Sequence, residues 1–409
     1  MTLRNQVARR SDPGESSRTC SILPICAMLL TMQCARSMYI VLVSWFALQI
    51  TGDIASVGRV LICWQLLALA VGPFVGPLID RSRRRRMFLT GEMIHGAGVG
   101  LLAVVAWSWS PEQTPIILLY ATACFISVGS LLSYPSSQAL IQLAGAQALM
   151  RSVSVGIFSS QIGNIVGAAS AGLCLGLLGV TGGLTVCAAS SFAAAGFARF
   201  VDDEEAIPPR RGFHAADLIT GLRAIVTTPR LRLAGLALLL AYASAHTSNA
   251  LLAGFARYEL KLASSLYGWL AAMYSGGGLV GSLALAWLWV TASETLLIGA
   301  GSVLLAAATA AFSTSRSFAE ALLWQGFIGL SFMMIRAGSD VMILKAAPNR
   351  VVGRVRSNVD AAIAMVAVTI YLLPGLLQGV PARHVFLGFA GLFACASCGI
   401  VWLLRRRSD

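Results

Sequence analysis

Charge is scarce in this chain. Asp, Glu, Lys and Arg make up 11% of its 409 residues, while 57% are apolar. An average soluble domain carries about 25% charged residues. A soluble fold of this length cannot hide so much apolar surface. That excludes the soluble class and leaves a polytopic membrane protein, whose helices are solvated by lipid on their outer faces. Acids are the scarcer sign: 17 stand against 30 basic residues, a net charge of +13. Such an excess on a polar surface would suggest nucleic acid. Here the basic residues stand at the ends of apolar runs, which argues against a nucleic-acid partner.

The marks of an enzyme are missing too. No G-x-x-x-x-G-K-[ST] loop exists to cradle phosphates, so direct drive by ATP is not expected. No Ser/His/Asp arrangement and no metal cluster can be assembled from a plausible cavity, so neither a catalytic residue, a cofactor nor a metal is expected. The nine cysteines fall mostly inside apolar segments (Cys34, Cys63, Cys124, Cys174, Cys187, Cys395, Cys398) and imply no disulfide framework. Cys395-Ala-Ser-Cys398 has metal-ligand spacing but no accompanying His or second Cys pair, so an apolar packing role is expected.

Apolar runs are what the chain has in quantity. A span needs about 20 apolar residues, and twelve runs qualify: roughly 21–49, 54–79, 87–108, 114–141, 152–179, 182–200, 231–255, 264–290, 294–314, 318–344, 357–379 and 383–404. The expected fold class is therefore an all-α polytopic membrane protein, with twelve transmembrane helices arranged as two pseudo-symmetric six-helix bundles. The first run is too long for a cleaved export signal, so residues 1–20 read as a basic tail before an uncleaved helix. Residues 21–200 and 231–404 read as the two halves, and 405–409 as a second tail. Of the 30 Lys and Arg, five (Arg59, Arg257, Lys261, Arg316, Arg383) fall on one side of this topology, Arg36 and Arg336 fall within spans, and the other 23 fall on the side of the termini. The positive-inside rule then makes both termini cytoplasmic.

Residues 201–230 interrupt the hydropathy with Asp202-Asp203-Glu204-Glu205, Pro208-Pro209 and Arg210-Arg211. Leu218, Ile219, Leu222, Ile225 and Val226 then follow helical spacing, which predicts an amphipathic linker helix over 217–226 on the inner membrane surface. Leu222 and Ile225 are expected to face lipid or the bundle and Arg223 to face water. The halves repeat weakly. Gly72-Pro-Phe-Val-Gly76 matches Gly277-Gly-Leu-Val-Gly281 at an offset of 205 residues, and Arg151-Ser152 matches Arg356-Ser357 at the same offset. Two coincidences at one offset indicate duplicated halves. Leu285 stands where the second copy would place a counterpart of Asp80. The pairs Gly72/Gly76, Gly163/Gly167 and Gly277/Gly281 have the small-x3-small spacing that lets helices approach closely.

Between the second and third runs the chain reads Gly76-Pro77-Leu78-Ile79-Asp80-Arg81-Ser82-Arg83-Arg84-Arg85-Arg86. This G-x-L-x-D-R pattern with its basic run resembles the signature loop of the major facilitator superfamily, with Arg83 where the family normally has Gly. Gly163-Asn-Ile-Val-Gly167-Ala-Ala-Ser-Ala-Gly172 resembles the family's antiporter motif, with Ala168 replacing its proline and Ala171 replacing a glycine. Plain helix packing accounts for the same glycines. Three further stretches resemble the drug- and siderophore-exporting branch: Tyr134-Pro-Ser-Ser-Gln-Ala-Leu140, Gly353-Arg-Val-Arg-Ser357, and Asp217 to Arg223 followed by Thr228-Pro-Arg-Leu231. The resemblance implies an inner-membrane, monomeric secondary transporter that exports a small molecule in exchange for protons. It also implies a gating set of Gly76, Asp80, Arg81, Arg84 and Arg354, in which Asp80 faces the start of the eleventh helix. Import of an organic anion, or a non-transporting sensor or partner subunit, are the alternatives.

Ionisable groups inside a bilayer cost several kcal/mol unless paired or hydrated, so they are the default functional residues. Arg36 lies about 22 Å along the first span at 1.5 Å per residue. It can bind an anion in a cavity or pair with an acid from another helix, such as Glu92. Glu92 and His95 share a face of the third span, close enough to the basic loop for Glu92 to meet Arg84–Arg86. His246 reads as a core histidine. Arg336 and Asp340 stand at i and i+4, which predicts either a self-satisfied pair or one broken during proton movement.

Overall fold

The computed structural model describes residues 22–80, 82–142, 146–201, 215–287, 292–348 and 351–405. Among these residues every long element is helical. Six helices make the first half: α1 (Ile22–Thr51), α2 (Ile54–Asp80), α3 (Arg84–Ser108), α4 (Ile116–Gln142), α5 (Ala146–Leu177) and α6 (Gly179–Ala198). A short helix α7 (Ala215–Thr227) follows. Six more make the second half: α8 (Pro229–Gly254), α9 (Ser264–Trp287), α10 (Glu294–Thr314), α11 (Phe318–Ala346), α12 (Val352–Leu376) and α13 (Ala382–Arg405). All twelve expected spans are present as helices. Eleven of them, α9 being the exception, combine the length and mean hydropathy of a membrane span among the described residues.

Local chemistry sets the breaks. Gly52 and Gly179 take positive φ at the tight α1–α2 and α5–α6 turns, where a side chain would be strained. The Asp53 carboxylate accepts from the Ala55 N–H and starts α2. Pro229 occupies the first turn of α8, where its missing N–H is no loss. Ser293 and Ser317 accept backbone N–H groups at the starts of α10 and α11.

The packing plan repeats. In the first half α1 lies against α5 and α6, α3 against α4 and α6, and α2 against α4. In the second half α8 lies against α12 and α13, α10 against α11 and α13, and α9 against α11. Each pair is the counterpart of the other under the duplication. The inter-half contacts obey it as well, since α2 packs on α12 as α9 packs on α5. Large apolar residues such as Trp107, Ile117, Leu177, Leu296 and Leu392 are exposed on the outer faces, as helices solvated by lipid require. Cys395 and Cys398 belong to that outer surface: both are exposed on α13 and not packed inside. All eight described cysteines are free.

The predicted linker helix forms, two residues longer at its start and one at its end than the pattern implied. Its Gly221 sits against the Arg354 carbonyl and the Asn358 side chain of α12, so this helix is docked onto the bundle. Ile219, Leu222 and Val226 face outward, while Ile225 packs inward on the core. Leu222 thus faces outward and Ile225 the bundle, with Arg223 exposed beside them. The acidic run 202–205 lies outside the described residues.

Candidate functional site

A cavity of about 770 Å³ lies between the two halves. Its walls come from α1, α2, α4 and α5 on one side and from α8, α9, α11 and α12 on the other. The first half contributes Gln33, Arg36, Trp64, Gln65, Ser130 and Tyr134. The second contributes Tyr242, His246, Asn249, Tyr274, Gln325, Arg336, Arg356 and Asp360. The lining is thus a mixture of amides, hydroxyls and aromatic rings with four charged groups.

The cavity is closed at the end away from the α2–α3 loop. Gly58 of α2 has the Tyr371 carbonyl of α12 so near that a Cβ there would collide with it. Gly172 of α5 meets Gly268 of α9 backbone to backbone, where a Cβ on Gly172 would lie 2.7 Å from the Gly268 Cα. Trp45 stacks on Tyr267 with ring centroids 5.5 Å apart, Arg257 lies over Trp45 at 5.8 Å, and the Tyr258 hydroxyl donates to the Gly52 carbonyl at 2.7 Å. Toward the α2–α3 loop the walls are wet. The Asp360 side chain is 58% exposed, and those of Arg336, Asp340 and Arg356 are about one-third exposed.

Two ionic assemblies flank the cavity. In the first half the Arg36 guanidinium donates to Ser133 Oγ at 2.6 Å and to Glu92 Oε1 at 3.4 Å, and lies 5.5 Å from the Tyr134 ring centroid. Glu92 is 1% exposed and stands behind Arg36, away from the lining. His95, one turn along α3, is fully buried and shares a hydrogen bond of 2.9 Å with Ser191. In the second half four residues form a chain across α11 and α12. Arg336 Nε lies 3.8 Å from Asp340 Oδ2, Asp340 Oδ1 takes a close contact from Arg356, and Arg356 Nε lies 3.5 Å from Asp360 Oδ1. The three arginines and three carboxylates of the two assemblies cancel in formal charge. His246 Nδ1 pairs with Tyr371 Oη at 2.8 Å, which links the cavity wall to the residue whose carbonyl meets Gly58.

The geometry is a cavity shared by two related halves and closed at one end. The sequence profile described as the Major Facilitator Superfamily matches residues 25–248, over half of the chain. The chain belongs to the major facilitator superfamily. No curated protein gives a significant match. Among solved structures it is similar to a point mutant of the nucleoside transporter NupG, with a TM-score of 0.73 at 13% identity, covering 93% of this chain and 99% of that one. It is similar to the POT family transporter PepTSo, with a TM-score of 0.72 at 12% identity over 94% and 98%. A bacterial homologue of the human lysosomal transporter Spinster, inward-facing and unoccupied, gives 0.71 at 11% identity over 96% and 98%. At such identities these likenesses speak for the fold alone. Membership of the superfamily makes the chain a transporter and not an enzyme.

Within this superfamily fold the residues singled out in the sequence separate. Arg36 and Glu92 do meet, and Glu92 does not reach Arg84–Arg86: its helix face turns inward to α1 and α4. Arg84 donates instead to the Ala139 carbonyl at the end of α4, at 2.9 Å. Arg336 and Asp340 pair, but not as a self-contained couple, because Asp340 is shared with Arg356. His246 lies on the cavity wall, hydrogen-bonded to Tyr371, rather than in a closed core. Gly163 and Gly167 pack against the Leu30 and Cys34 carbonyls of α1, so they serve helix packing within the first half. Gly277 meets the Gly326 carbonyl of α11, and Gly281 sits against Met333. Arg354 is exposed at the start of α12. The surroundings of Gly72, Gly76 and Asp80, and Arg81 altogether, lie outside the described residues.

Three participants escape the sequence reading. Arg356 stands just before the apolar run of its span, but the helix begins at Val352, five residues earlier than that run. Asp360 then stands at i+4 from Arg356, the same spacing as Arg336 and Asp340, and that repeated Arg-x-x-x-Asp is the available signal. Gln325 is fully buried, and neither its amide nitrogen nor its oxygen has a hydrogen-bond partner in the protein. Each such atom costs about 1–3 kcal/mol. Nothing in the local sequence distinguishes it.

Proposed function

We propose that this chain exports a small organic molecule, siderophore-like or drug-like, across the bacterial inner membrane by proton-coupled alternating access. The central cavity, closed at one end and wet at the other, is the observation that carries the reading. Its volume falls in the range of roughly 300–1,000 Å³ that holds drug-sized ligands. With the Lys/Arg-rich segments and both termini cytoplasmic, the open end faces the cytoplasm, the side from which an exporter loads. The chain would work as a monomer in the bilayer, with residues 201–230 as the cytoplasmic linker between two six-helix halves.

The coupling step is assigned to Asp340. While ionised it holds Arg356 of α12 and Arg336 of its own helix. A proton on Asp340 removes that attraction, and Arg356 is left with Asp360 on its own helix. The ionic link between α11 and α12 is then released. Because α12 closes the outer end against α2, its release is communicated to the gate. In the opposite state Gly76, Asp80, Arg81, Arg84 and Arg354 would close the inner end, with the Asp80 carboxylate at the positive N-terminus of α12. Arg36 and Glu92 would serve substrate and proton in the first half.

A second reading, import of an organic anion, draws on three arginines against one aspartate among the charged lining residues. The pairing of all three arginines with carboxylates weakens it. The test is a thermal-shift screen of purified protein against siderophores and drugs, followed by reconstitution of each stabilising compound in proteoliposomes. Uphill accumulation that a protonophore abolishes is expected. Accumulation indifferent to the protonophore would remove proton coupling, and binding without any transport would favour a sensor.

A further inference from the structure

We infer that Gln325 and Tyr274 form a neutral recognition corner in the cavity, built to read a cis-amide edge: a lactam, cyclic imide or nucleobase-like group on a ring-bearing molecule. The inference rests on the reading of the cavity as the transport site and names the substrate class for it.

The corner is rigid. Gly326 follows Gln325 in α11, and its carbonyl lies directly against Gly277 of α9. One turn along, Gly329 has the Tyr274 carbonyl against it just as closely. The two helix backbones are therefore in contact where they present Gln325 and Tyr274 to the same wall. Gln325 offers one amide donor and one carbonyl acceptor in a single plane, both without partners, and the Tyr274 hydroxyl is also buried. Packing fixes these groups; no protein group among the described residues satisfies the Gln325 amide, and the Ser244 hydroxyl neighbours the Tyr274 oxygen.

Their chemistry selects the ligand. A primary carboxamide presents C=O and N–H side by side. Its complement is another group with N–H and C=O side by side. A carboxylate would set an anion against the Gln325 oxygen, and an ammonium would set a cation against its NH₂. Both are mismatched, so the matching group is neutral. The neighbouring rings supply an aromatic wall: Tyr242 and Tyr274 line the cavity and pack against Phe332 at 5.3 and 5.8 Å, centroid to centroid. On the other half, Gln33 Oε1 and Ser130 Oγ are also buried and unpartnered, which extends the hydrogen-bonding surface without adding charge.

The experiment uses purified full-length protein in detergent and two probes, a phenyl-substituted glutarimide and its N-methyl derivative. Methylation removes the donor and leaves the ring. Equilibrium binding should favour the imide by at least about tenfold. Gln325→Leu should erase that preference while the melting temperature holds or rises, because it removes two unsatisfied atoms at similar volume. If the leucine variant does not fold, the isosteric Gln325→Glu, which replaces the donor by an acceptor, should erase the preference instead. Equal affinity for the two probes, no binding of the imide at millimolar concentration, or a preference surviving the substitution would each overturn the inference. Proteoliposome transport of thermal-shift hits tests the underlying reading separately. Transport by a protein that shows no imide preference removes only the amide-edge corner; an intact preference in a protein that transports nothing removes the transporter and leaves the corner.

Discussion

In the first half, Arg36 reaches back from the cavity wall to a buried Glu92, with one hydroxyl and one aromatic ring as further partners. In the second half, Arg336, Asp340, Arg356 and Asp360 run as a chain along a wet wall, each side chain at least one-third exposed. Both assemblies balance their charge. They differ in what can replace a lost partner. Glu92 has only protein to turn to, whereas each member of the second chain has water or the next residue. A buried pair is costly to break by either member, so it holds one arrangement. An exposed chain can exchange partners for little free energy, which is what a coupling step requires.

The largest expected effect comes from breaking the buried pair. Glu92→Gln should leave Arg36 uncompensated and lower unfolding stability in detergent by about 3–5 kcal/mol. The double substitution Arg36→Met/Glu92→Leu should recover most of the loss, because it removes both charges. A single substitution costing less than about 1 kcal/mol would show that Arg36 is hydrated from the cavity, and the contrast between the halves would fail.

Gly58→Val comes next and acts on conformation more than on stability. Its side chain would occupy the space of the Tyr371 carbonyl, so the outer end could not close. Transport should fall by about two orders of magnitude, roughly the 3 kcal/mol of a blocked contact. Spin labels at Thr51→Cys and Gln378→Cys should move apart, while an unchanged distance distribution would mean that this contact does not hold the gate.

The wet chain is sharpened by Asp340→Asn. Stability should change by only about 1 kcal/mol, as for exposed pairs, yet proton-driven accumulation should disappear while downhill exchange continues. If a neutral double substitution of Arg336 and Asp340 retained full uphill transport, both residues would leave the mechanism and Glu92 would be the next acid to test. The smallest effect belongs to Asp360→Asn. Its carboxylate is the most exposed of the four, so stability should hold within about 0.5 kcal/mol, with a transport rate lowered a few-fold. Complete loss of transport would move the coupling site from Asp340 to Asp360.

The twelve helices were legible because each depends on a local property, about 20 apolar residues in succession. The duplication was legible through Gly72/Gly277 and Arg151/Arg356, and the packing plan the two halves share follows from it. Partner choice was less accessible. Glu92 lies near the basic loop along its helix, yet the rotation of α3 turns it toward Arg36. Asp340 has an arginine one turn away on its own helix, yet also takes one from α12. Such choices depend on helix rotation and depth in the assembled bundle, which spacing on one helix does not contain.

What the sequence determined by itself is the class of molecule: helices in a bilayer, two related halves, and a few ionisable groups that lipid would not tolerate unpaired. Composition and run length suffice for this, because the transfer of apolar and charged groups between water and lipid is a property of each segment. What only the tertiary structure decided is which of those groups face each other, which face a cavity, and which end of the cavity is closed. The closure at Gly58 and Gly172 and the unpartnered amide of Gln325 exist only where two helices meet. The free energies that matter there belong to pairs of surfaces, and no single stretch of the chain carries them.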